Sequence, residues 1–596
     1  MSVAGQDEVI GSGTCPEPTG DSSKPERSRW AAALVIVSAG VVTYLDSFQG
    51  AFVYDERVFI TDNPYIRHLW PPWPALLAPL NVNRPVIGLS NAINYAISGL
   101  NPWSYHATNL IIHILAALAL FGIVRRTLTL DKLVGRFGKH STILAMTVAL
   151  IWMVHPLQTQ SVTYVIQRCE SLMGMFYLVT LYSSIRSFES DHKGRWYAAA
   201  IAACAGGMMS KQVMVTAPIV VLLYDFLFEA GSLRQALRQR WALYSGLGAT
   251  WGILAATVAA SPVNPTAGFA VNSISPVGYL KSEFAVVVYY LRLSFWPSPL
   301  CLDYSGWPVA KTAAAIAPFA VILGGLGAFT AWGILRRRPA SFVGAWFFLI
   351  ISVTSSVMPF SDLVFEHRMY LPLASVVAIV VLGAYSLADR LRIWYPSLIR
   401  HRPEAARQAA LVVITLVVVL LGFATARRNI DYRSEAVMWT DVVAKRPDNP
   451  RAHNNLGHIL LDGGRVEGAI VQFSEAVALN PYYTHAQYNL GTALMLQGKL
   501  DEARVHLIEA VRLDPGDPNS HVALGTLFGA QGQTTLAINE FEVALQIDPA
   551  TVEAHRWLGV ALESQGRVSE AKEQYNIALQ LRPDWPELRD HIAGLR

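Results

Sequence analysis

Long apolar runs separated by short polar linkers occupy the first two thirds of the chain. Each run is long enough to cross a hydrocarbon core of about 30 Å as a helix. The runs begin near Ala31, Tyr105, Thr142, Ser161, Trp196, Val213, Trp241, Tyr279, Thr312, Ala340, Met369 and Gln408. This pattern predicts a polytopic helical membrane domain over residues 29–428.

The basic residues between the runs predict its orientation. Lys and Arg cluster in five linkers, 125–139, 193–195, 234–240, 336–338 and 390–407. The positive-inside rule assigns all five to the cytoplasm. All five linkers can lie on the cytoplasmic side only if the run 279–296 begins and ends on the outer side. This leaves about eleven spans. The first run has no cleavage site after it, so we interpret it as a retained signal anchor with a cytoplasmic N-terminus.

Two segments are then expected outside the cytoplasm. The first outer loop, residues 46–104, contains Asp55, Glu56 and the stretch 69–73, whose tryptophans and prolines suit a helix lying flat in the membrane interface. The second begins near Arg427 and continues to the end of the chain. Residues 1–28 are polar and aperiodic, which predicts a disordered cytoplasmic tail.

The second outer segment repeats every 34 residues. Prolines, Leu-Gly pairs and alanines all keep this period, at Pro447, Pro481, Pro515, Pro549 and Pro583, at Gly457, Gly491, Gly525 and Gly559, and at Ala469, Ala503, Ala537 and Ala571. The period and pattern are those of tetratricopeptide (TPR) repeats. We predict a half unit over 429–447 and four repeats over 448–596, which form an α-solenoid with a concave face. The whole chain is therefore expected to be all-α.

Composition changes this picture little. The chain is 53% hydrophobic and 15% charged, against about 25% charged in soluble proteins. Its net charge of +4 is scattered between the runs, which argues against a nucleic-acid partner. The four cysteines lack metal-site spacing, and no dense His and carboxylate cluster is seen, so neither a metal nor another tightly bound cofactor is predicted. Divalent-metal dependence is left open.

Polar residues stand inside the apolar runs, between them or at their ends, where burial in a membrane is costly, and all face the outer side in this topology. They are His155, Gln167, Arg168, Glu170, Ser210, Lys211, Gln212, Glu366, His367 and Arg368. Cations neutralise a phosphate, while a carboxylate takes a proton from an attacking hydroxyl. The group therefore favours chemistry on a lipid-linked phosphate. The alternative is that these residues are helix-end charges or ion pairs that stabilise the bundle.

Ordered motifs along the chain resemble those of the transmembrane-and-TPR-containing O-mannosyltransferases (TMTC family) and their bacterial relatives, which are GT-C glycosyltransferases. The motifs are Phe52-Val53-Tyr54-Asp55-Glu56, Asn63-Pro64, Asn83-Arg84-Pro85, Gly99-Leu100-Asn101-Pro102, Tyr105-His106, Asn109-Leu110, His155-Pro156, Ser210-Lys211, Tyr224-Asp225 and Glu366-His367-Arg368-Met369-Tyr370-Leu371-Pro372. Their order, followed by the TPR array, is more specific than any one motif.

The resemblance implies a polyprenyl-phosphate hexose donor, mannose-like, and an acceptor hydroxyl on an extracytoplasmic protein. It assigns the catalytic base to Asp55 or to Glu56, because relatives commonly have Asp-Asp here. Lys211 and Arg368 are the first candidates for the donor phosphate. Further candidates are Arg84, His155 and Arg168 for the phosphate, and Glu170, His106, Glu366 and His367 in supporting positions.

The array is expected to recruit the acceptor or a partner protein. Asn455 and Asn489 precede Leu-Gly pairs, where an Asn in some TPR superhelices holds an extended peptide, but Ala523 and Trp557 replace it in the last two units. Two other functions compete: a membrane-anchored scaffold for envelope or pilus assembly, and a lipid-linked oligosaccharide polymerase or ligase. We expect a bacterial inner membrane with a periplasmic array; an endoplasmic reticulum membrane satisfies the same topology.

Overall fold

The computed structural model describes residues 23–262, 268, 271, 273–394 and 403–595. Within these ranges the chain forms helices and connections and no β-strand, which confirms the all-α prediction. Residues 1–22 of the expected tail lie outside the described ranges. From Ser23 onward the chain is helical, which corrects the predicted tail at residues 23–28. Pro25 suits this first turn, because its missing N–H has no partner there.

Twelve helices of the described ranges correspond to the predicted apolar runs and form the membrane domain. They are Ser23–Tyr44, Trp103–Leu128, Ser141–Val154, Arg168–Glu189, Lys193–Met208, Ala217–Tyr224, Trp241–Ala259, Pro276–Phe295, Ala313–Leu335, Ser341–Ser352, Pro372–Trp394 and Pro403–Asn429. The connections between them contain the 14-residue helix Pro85–Ser98 and shorter helices, which are Leu45–Gln49, Arg57–Thr61, Pro64–Ile66, Trp73–Leu77, Asp131–Phe137, Gly138–His140, Pro156–Gln158, Thr159–Val162, Val165–Gln167, Gln212–Thr216, Asp225–Glu229, Leu233–Gln239, Glu366–Met369 and Ile430–Tyr432.

Eight helical stretches of the described ranges are long and apolar enough to cross a membrane. Three further predicted spans correspond to helices that are too short or too polar by the same criteria. Arg168–Glu189 is too polar, whereas Lys193–Met208 and Ser341–Ser352 are too short. The polytopic membrane domain is therefore confirmed, and the count of eleven spans stays a prediction.

The predicted interfacial helix over 69–73 is wrong in its extent. The structure has a helix only from Trp73 to Leu77. Pro71 and Pro72 lack the N–H groups and the backbone freedom that would extend it toward its N-terminus. Trp70 and Trp73 are nevertheless 84% and 62% exposed, so their rings remain free to contact a membrane surface.

The four predicted TPR units each form a pair of helices. The pairs are Pro450–Asp462 with Val466–Leu479, Thr484–Leu496 with Leu500–Leu513, Pro518–Ala530 with Thr534–Ile547, and Val552–Ser564 with Val568–Leu581. The helices Glu435–Lys445 and Pro586–Gly594 flank the array. A Cβ atom on Gly457 would lie 2.7 Å from the Phe473 ring, so the repeating glycine is what allows the two helices of a unit to approach.

The start of the array packs against the membrane domain. Lys445 donates from Nζ to the carbonyl of Leu300 at 2.7 Å, and Arg451 pairs with Asp303 at 2.9 Å. Glu435 contacts the first outer loop at Tyr54. The first outer loop, the segment around residue 300 and the start of the array thus meet at one end of the helical bundle, while their orientation relative to the membrane stays a prediction.

Candidate functional site

Asp55 lies on the first outer loop at this end of the bundle, and its side chain is exposed. The Tyr164 phenol and the Arg451 guanidinium lie nearby. Although Asp55 is exposed, many protein atoms surround its carboxyl, and their desolvation of the charged form raises the pKa of Asp55 above its ordinary value, while the positive charge of Arg451 opposes the shift. Asp55 is thus an accessible carboxylate beside a cation.

Glu56 is placed differently, because its side chain is only 1% exposed. Its carboxyl accepts hydrogen bonds from the N–H of Val53 at 2.7 Å and from the N–H of Ile166 at 3.2 Å. Burial raises the pKa of Glu56 to about 8. The group is therefore mostly protonated at neutral pH, and it joins the first outer loop to the segment that precedes the Arg168–Glu189 helix.

That segment, residues 164–170, also reaches two of the predicted phosphate ligands. Arg84 donates from Nη1 to Sγ of Cys169 at 3.5 Å. Glu170 forms a buried ion pair with Lys211. The N–H of Ile166, in the same segment, donates to Glu56. The first part of segment 164–170 therefore fixes the acidic loop, and the last part contacts two cations.

Three predicted cations surround His367. This histidine is buried, and both its backbone N–H and Nδ1 contact Oε1 of Gln160, at 2.9 and 3.1 Å. Burial lowers the pKa of His367 well below its ordinary value, and the positive charges of Lys211, Arg368 and Arg84 lower it further. His367 is therefore neutral at pH 7, and the three cations lie around it, two of them paired with the carboxylates of Glu170 and Glu283.

Two of these cations retain unpaired N–H groups. Arg368 donates to the carbonyl of Leu363 at 2.9 Å and pairs with Glu283 at 3.3 Å, yet its Nη2 has no hydrogen-bond partner among the described residues. The Nε of Arg84 is also buried, and it has no hydrogen-bond partner in the part of the chain that the structure describes. Buried donors without acceptors are costly, so the cluster is chemically suited to receive an anion such as a phosphate.

The other two predicted phosphate ligands are occupied by structural contacts. Arg168 is fully buried and donates to Oδ1 of Asn109 at 2.6 Å and to the carbonyl of Tyr105 at 2.9 Å. His155 accepts a backbone N–H at Nδ1, and its Nε2 lies 3.2 Å from the carbonyl oxygen of Ser294. Both side chains stabilise the packing of the helices, and we leave them out of the candidate site.

Two supporting residues are also structural. Glu366 is buried and accepts hydrogen bonds from the N–H of Cys301 and the hydroxyl of Tyr304, both at 2.7 Å. His106 is buried against Gly50, where an added Cβ would lie 3.0 Å from Nε2. They hold the loops around the site in place.

The predicted peptide-binding asparagines lie half-buried on the first two TPR units. Asn489 donates to Oδ1 of Asn454 at 2.9 Å, so part of its capacity is used within the array. The Nδ2 atom of Asn455 is buried and has no hydrogen-bond partner among the residues that the structure describes. The role of both asparagines in peptide binding stays a prediction.

Sequence reasoning missed an acidic group near Asp55. Arg451 contacts Asp303 at 2.9 Å and Asp362 in a bidentate pair at 2.8 and 3.0 Å. Arg451 departs from the repeat, since later units have His485, Asn519 and Glu553 at this position. That departure was the one available signal.

In the described ranges no three His, Cys, Asp or Glu side chains converge as metal ligands.

Comparison with known protein families confirms the resemblance seen in the motifs. The family described as dolichyl-phosphate-mannose-protein mannosyltransferase matches residues 82–259. Two tetratricopeptide-repeat families match residues 460–525, and residues 433–484 and 522–586. The first match covers the Arg84 and Lys211 regions, and the others cover the array.

Curated relatives match most of this chain. The protein O-mannosyl-transferase F38B6.6 of Caenorhabditis elegans is 24% identical, over 77% of this chain and 64% of its own length. Human protein O-mannosyl-transferase TMTC1 is 24% identical over 74% and 54%, and human TMTC4 is 25% identical over 74% and 65%. The chain thus spans between about half and two thirds of these relatives.

Two solved structures are each similar to about a quarter of this chain. The TPR protein TTC0263 of Thermus thermophilus is 26% identical and covers 28% of this chain and 92% of its own, with a TM-score of 0.25. The crystal structure of MamA is 24% identical and covers 27% and 94%, with a TM-score of 0.24.

Proposed function

We propose that this chain, which is similar over most of its length to protein O-mannosyl-transferases, transfers a mannose-like hexose from a polyprenyl-phosphate donor to hydroxyl groups of extracytoplasmic proteins. One observation carries the proposal. Segment 164–170 holds the loop of the accessible Asp55 at its start and the Arg84 and Lys211 cations at its end. A base and an anion-binding cluster are the two elements that this transfer requires.

The proposed reaction is a single displacement. Asp55 takes the proton of the acceptor hydroxyl, whose oxygen forms a bond to the anomeric carbon. The bond between that carbon and the phosphate oxygen breaks, and the lipid phosphate leaves with the electron pair. Arg84, Lys211 and Arg368 stabilise the phosphate charge. The step uses no covalent enzyme intermediate and no redox cofactor.

We assign the base to Asp55 and not to Glu56. Asp55 is exposed, whereas Glu56 is buried, bonded to two backbone N–H groups and mostly protonated at neutral pH. A protonated carboxyl cannot accept the acceptor's proton. In the proposed setting, a bacterial inner membrane, this site and the TPR array face the periplasm, and the N-terminus is cytoplasmic.

The function is tested with the full-length chain in lipid nanodiscs, using radiolabelled polyprenyl-phosphate mannose and an unfolded polypeptide that contains Ser and Thr. We expect label on the polypeptide, and none when alanine replaces its Ser and Thr or when a nucleotide sugar replaces the donor. Absence of transfer, together with loss of envelope complexes in a deletion strain whose glycopeptides persist, would establish the scaffold function instead.

The acid limb of the pH–rate profile should depend on Arg451. The base works when ionised, so the rate rises as pH increases through the pKa of Asp55, which burial raises above its ordinary value. Arg451→Gln removes the opposing positive charge, raises this pKa further and moves the limb to higher pH. Arg451→Lys keeps the charge and should leave the limb near its original position. If the acid limb does not move in Arg451→Gln, the charge of Arg451 does not affect the pKa of the base.

The array asparagines should affect acceptor binding alone. Asn455→Ala with Asn489→Ala removes donors that we propose to hold the acceptor backbone, so the KM for a polypeptide should rise about 5- to 30-fold, equivalent to one or two hydrogen bonds. The kcat and the KM for the donor should not change. Steady-state kinetics with varied polypeptide concentration measure this effect. An unchanged KM for the acceptor would mean that these asparagines of the concave face do not bind it.

A further inference from the structure

The residue immediately before Asp55 has an unusual backbone conformation. Tyr54 has φ of 51°, in the left-handed region that residues other than glycine rarely adopt. Such a conformation persists only where its surroundings hold it. The conformation of Tyr54 sets the direction in which the chain presents Asp55.

The groups that hold Tyr54 come from the TPR side of the chain. The Tyr54 N–H donates to Oε1 of Glu435 at 2.6 Å, across 381 residues of sequence. Oε2 of the same carboxylate accepts from Nη2 of Arg57 at 2.6 Å. The Tyr54 ring packs edge-to-face on the buried Trp439, with centroids 5.1 Å apart. Glu435 therefore holds the loop on both sides of Asp55.

The helix that carries Glu435 is itself firmly anchored. This helix, Glu435–Lys445, begins with Ser434 as its N-cap. Asp441 accepts a hydrogen bond from Arg428 at 2.9 Å, and Lys445 donates to the carbonyl of Leu300 at 2.7 Å. The helix is thus a fixed support between the last membrane helix and the candidate site.

We infer that the helix Glu435–Lys445 belongs to the catalytic site, with Glu435 as a positioning residue that orients Asp55. The half unit that precedes the array is then a structural part of the site, whereas the array itself offers a surface for an acceptor. The inference rests on the proposed function for its kinetic consequence. Its structural part, the fixed loop around Tyr54, is measured independently of activity.

The test compares Glu435→Ala with Glu435→Gln and Glu467→Ala in the full-length chain in nanodiscs. Glutamine keeps an oxygen that accepts the Tyr54 N–H. Glu467 also stands in the first turn of a TPR helix but is exposed and has no contact with the first outer loop among those the structure shows. It therefore controls for loss of a first-turn carboxylate.

We expect Glu435→Ala to lower kcat 10- to 100-fold, as a misplaced reacting group does, with the acceptor KM unchanged. Hydrogen exchange of the backbone amides of residues 54–57 should become faster. Glu435→Gln should retain most of both properties, and Glu467→Ala should match the wild type. If Glu435→Ala leaves exchange and kcat at wild-type values, or raises only the acceptor KM, the inference is overturned.

The two proposals fail in different ways. If the wild-type chain transfers no hexose, the proposed function fails, while the exchange measurement still decides whether Glu435 fixes the loop. If the wild type is active and Glu435→Ala shows wild-type exchange and turnover, the proposed function stands and the positioning role fails.

Discussion

Asp55→Asn is expected to lower the rate of hexose transfer by about 10²- to 10⁴-fold, which is the usual contribution of a positioned general base. Asparagine has nearly the same shape but cannot take a proton from the acceptor hydroxyl. Because Asp55 is exposed, the substitution should leave the unfolding temperature of the protein close to that of the wild type. Transfer from labelled polyprenyl-phosphate mannose in nanodiscs measures the rate.

The neighbouring Glu56→Gln is the matched control and should behave in the opposite way. The Glu56 carboxyl offers one oxygen to Val53 and the other to Ile166. An amide has one acceptor oxygen, so one buried N–H loses its partner, at a cost of about 1–3 kcal/mol in the free energy of unfolding. The rate per folded molecule should stay within about threefold of the wild type. If Glu56→Gln abolishes transfer while Asp55→Asn retains it, the base is Glu56.

Much of the architecture could be predicted because its signals are local and periodic. Apolar runs predicted the membrane helices, and the 34-residue period predicted the TPR units. The period also explains Gly457, whose missing Cβ makes room for Phe473. The prediction of a flat helix at 69–73 was wrong for a local reason too. It rested on the aromatic composition of the stretch and gave too little weight to Pro71 and Pro72, which restrict the backbone.

The candidate site was less predictable, because its arrangement depends on contacts between distant parts of the chain. The sequence indicates that Arg168 and Lys211 are cations near the membrane boundary. It does not show that Arg168 donates its hydrogen bonds to Asn109 and to the Tyr105 carbonyl, whereas Lys211 lies near His367. The Tyr54–Glu435 contact spans 381 residues and leaves no spacing to recognise. The choice between Asp55 and Glu56 depends on burial, which adjacent positions in sequence do not reveal.

Lys211→Met is expected to impair both stability and transfer. Lys211 and Glu170 are buried and form an ion pair, so removing the lysine leaves an uncompensated carboxylate at a cost of about 3–5 kcal/mol. Transfer should fall about 100-fold or more, because the proposed phosphate loses a cation. Thermal unfolding in nanodiscs and the labelled-donor assay measure the two effects separately.

The double variant Lys211→Met with Glu170→Gln separates the two roles. It removes the uncompensated charge, so the unfolding temperature should return toward the wild-type value, while transfer should stay low because the cation is still absent. Removing the partly buried Arg240–Asp225 pair, at the far end of the Gln212–Glu229 stretch, controls for loss of an ion pair as such and should alter stability without altering donor affinity. If the Lys211–Glu170 double variant recovers transfer together with stability, the pair only stabilises the bundle, and donor binding must rest on Arg84 and Arg368.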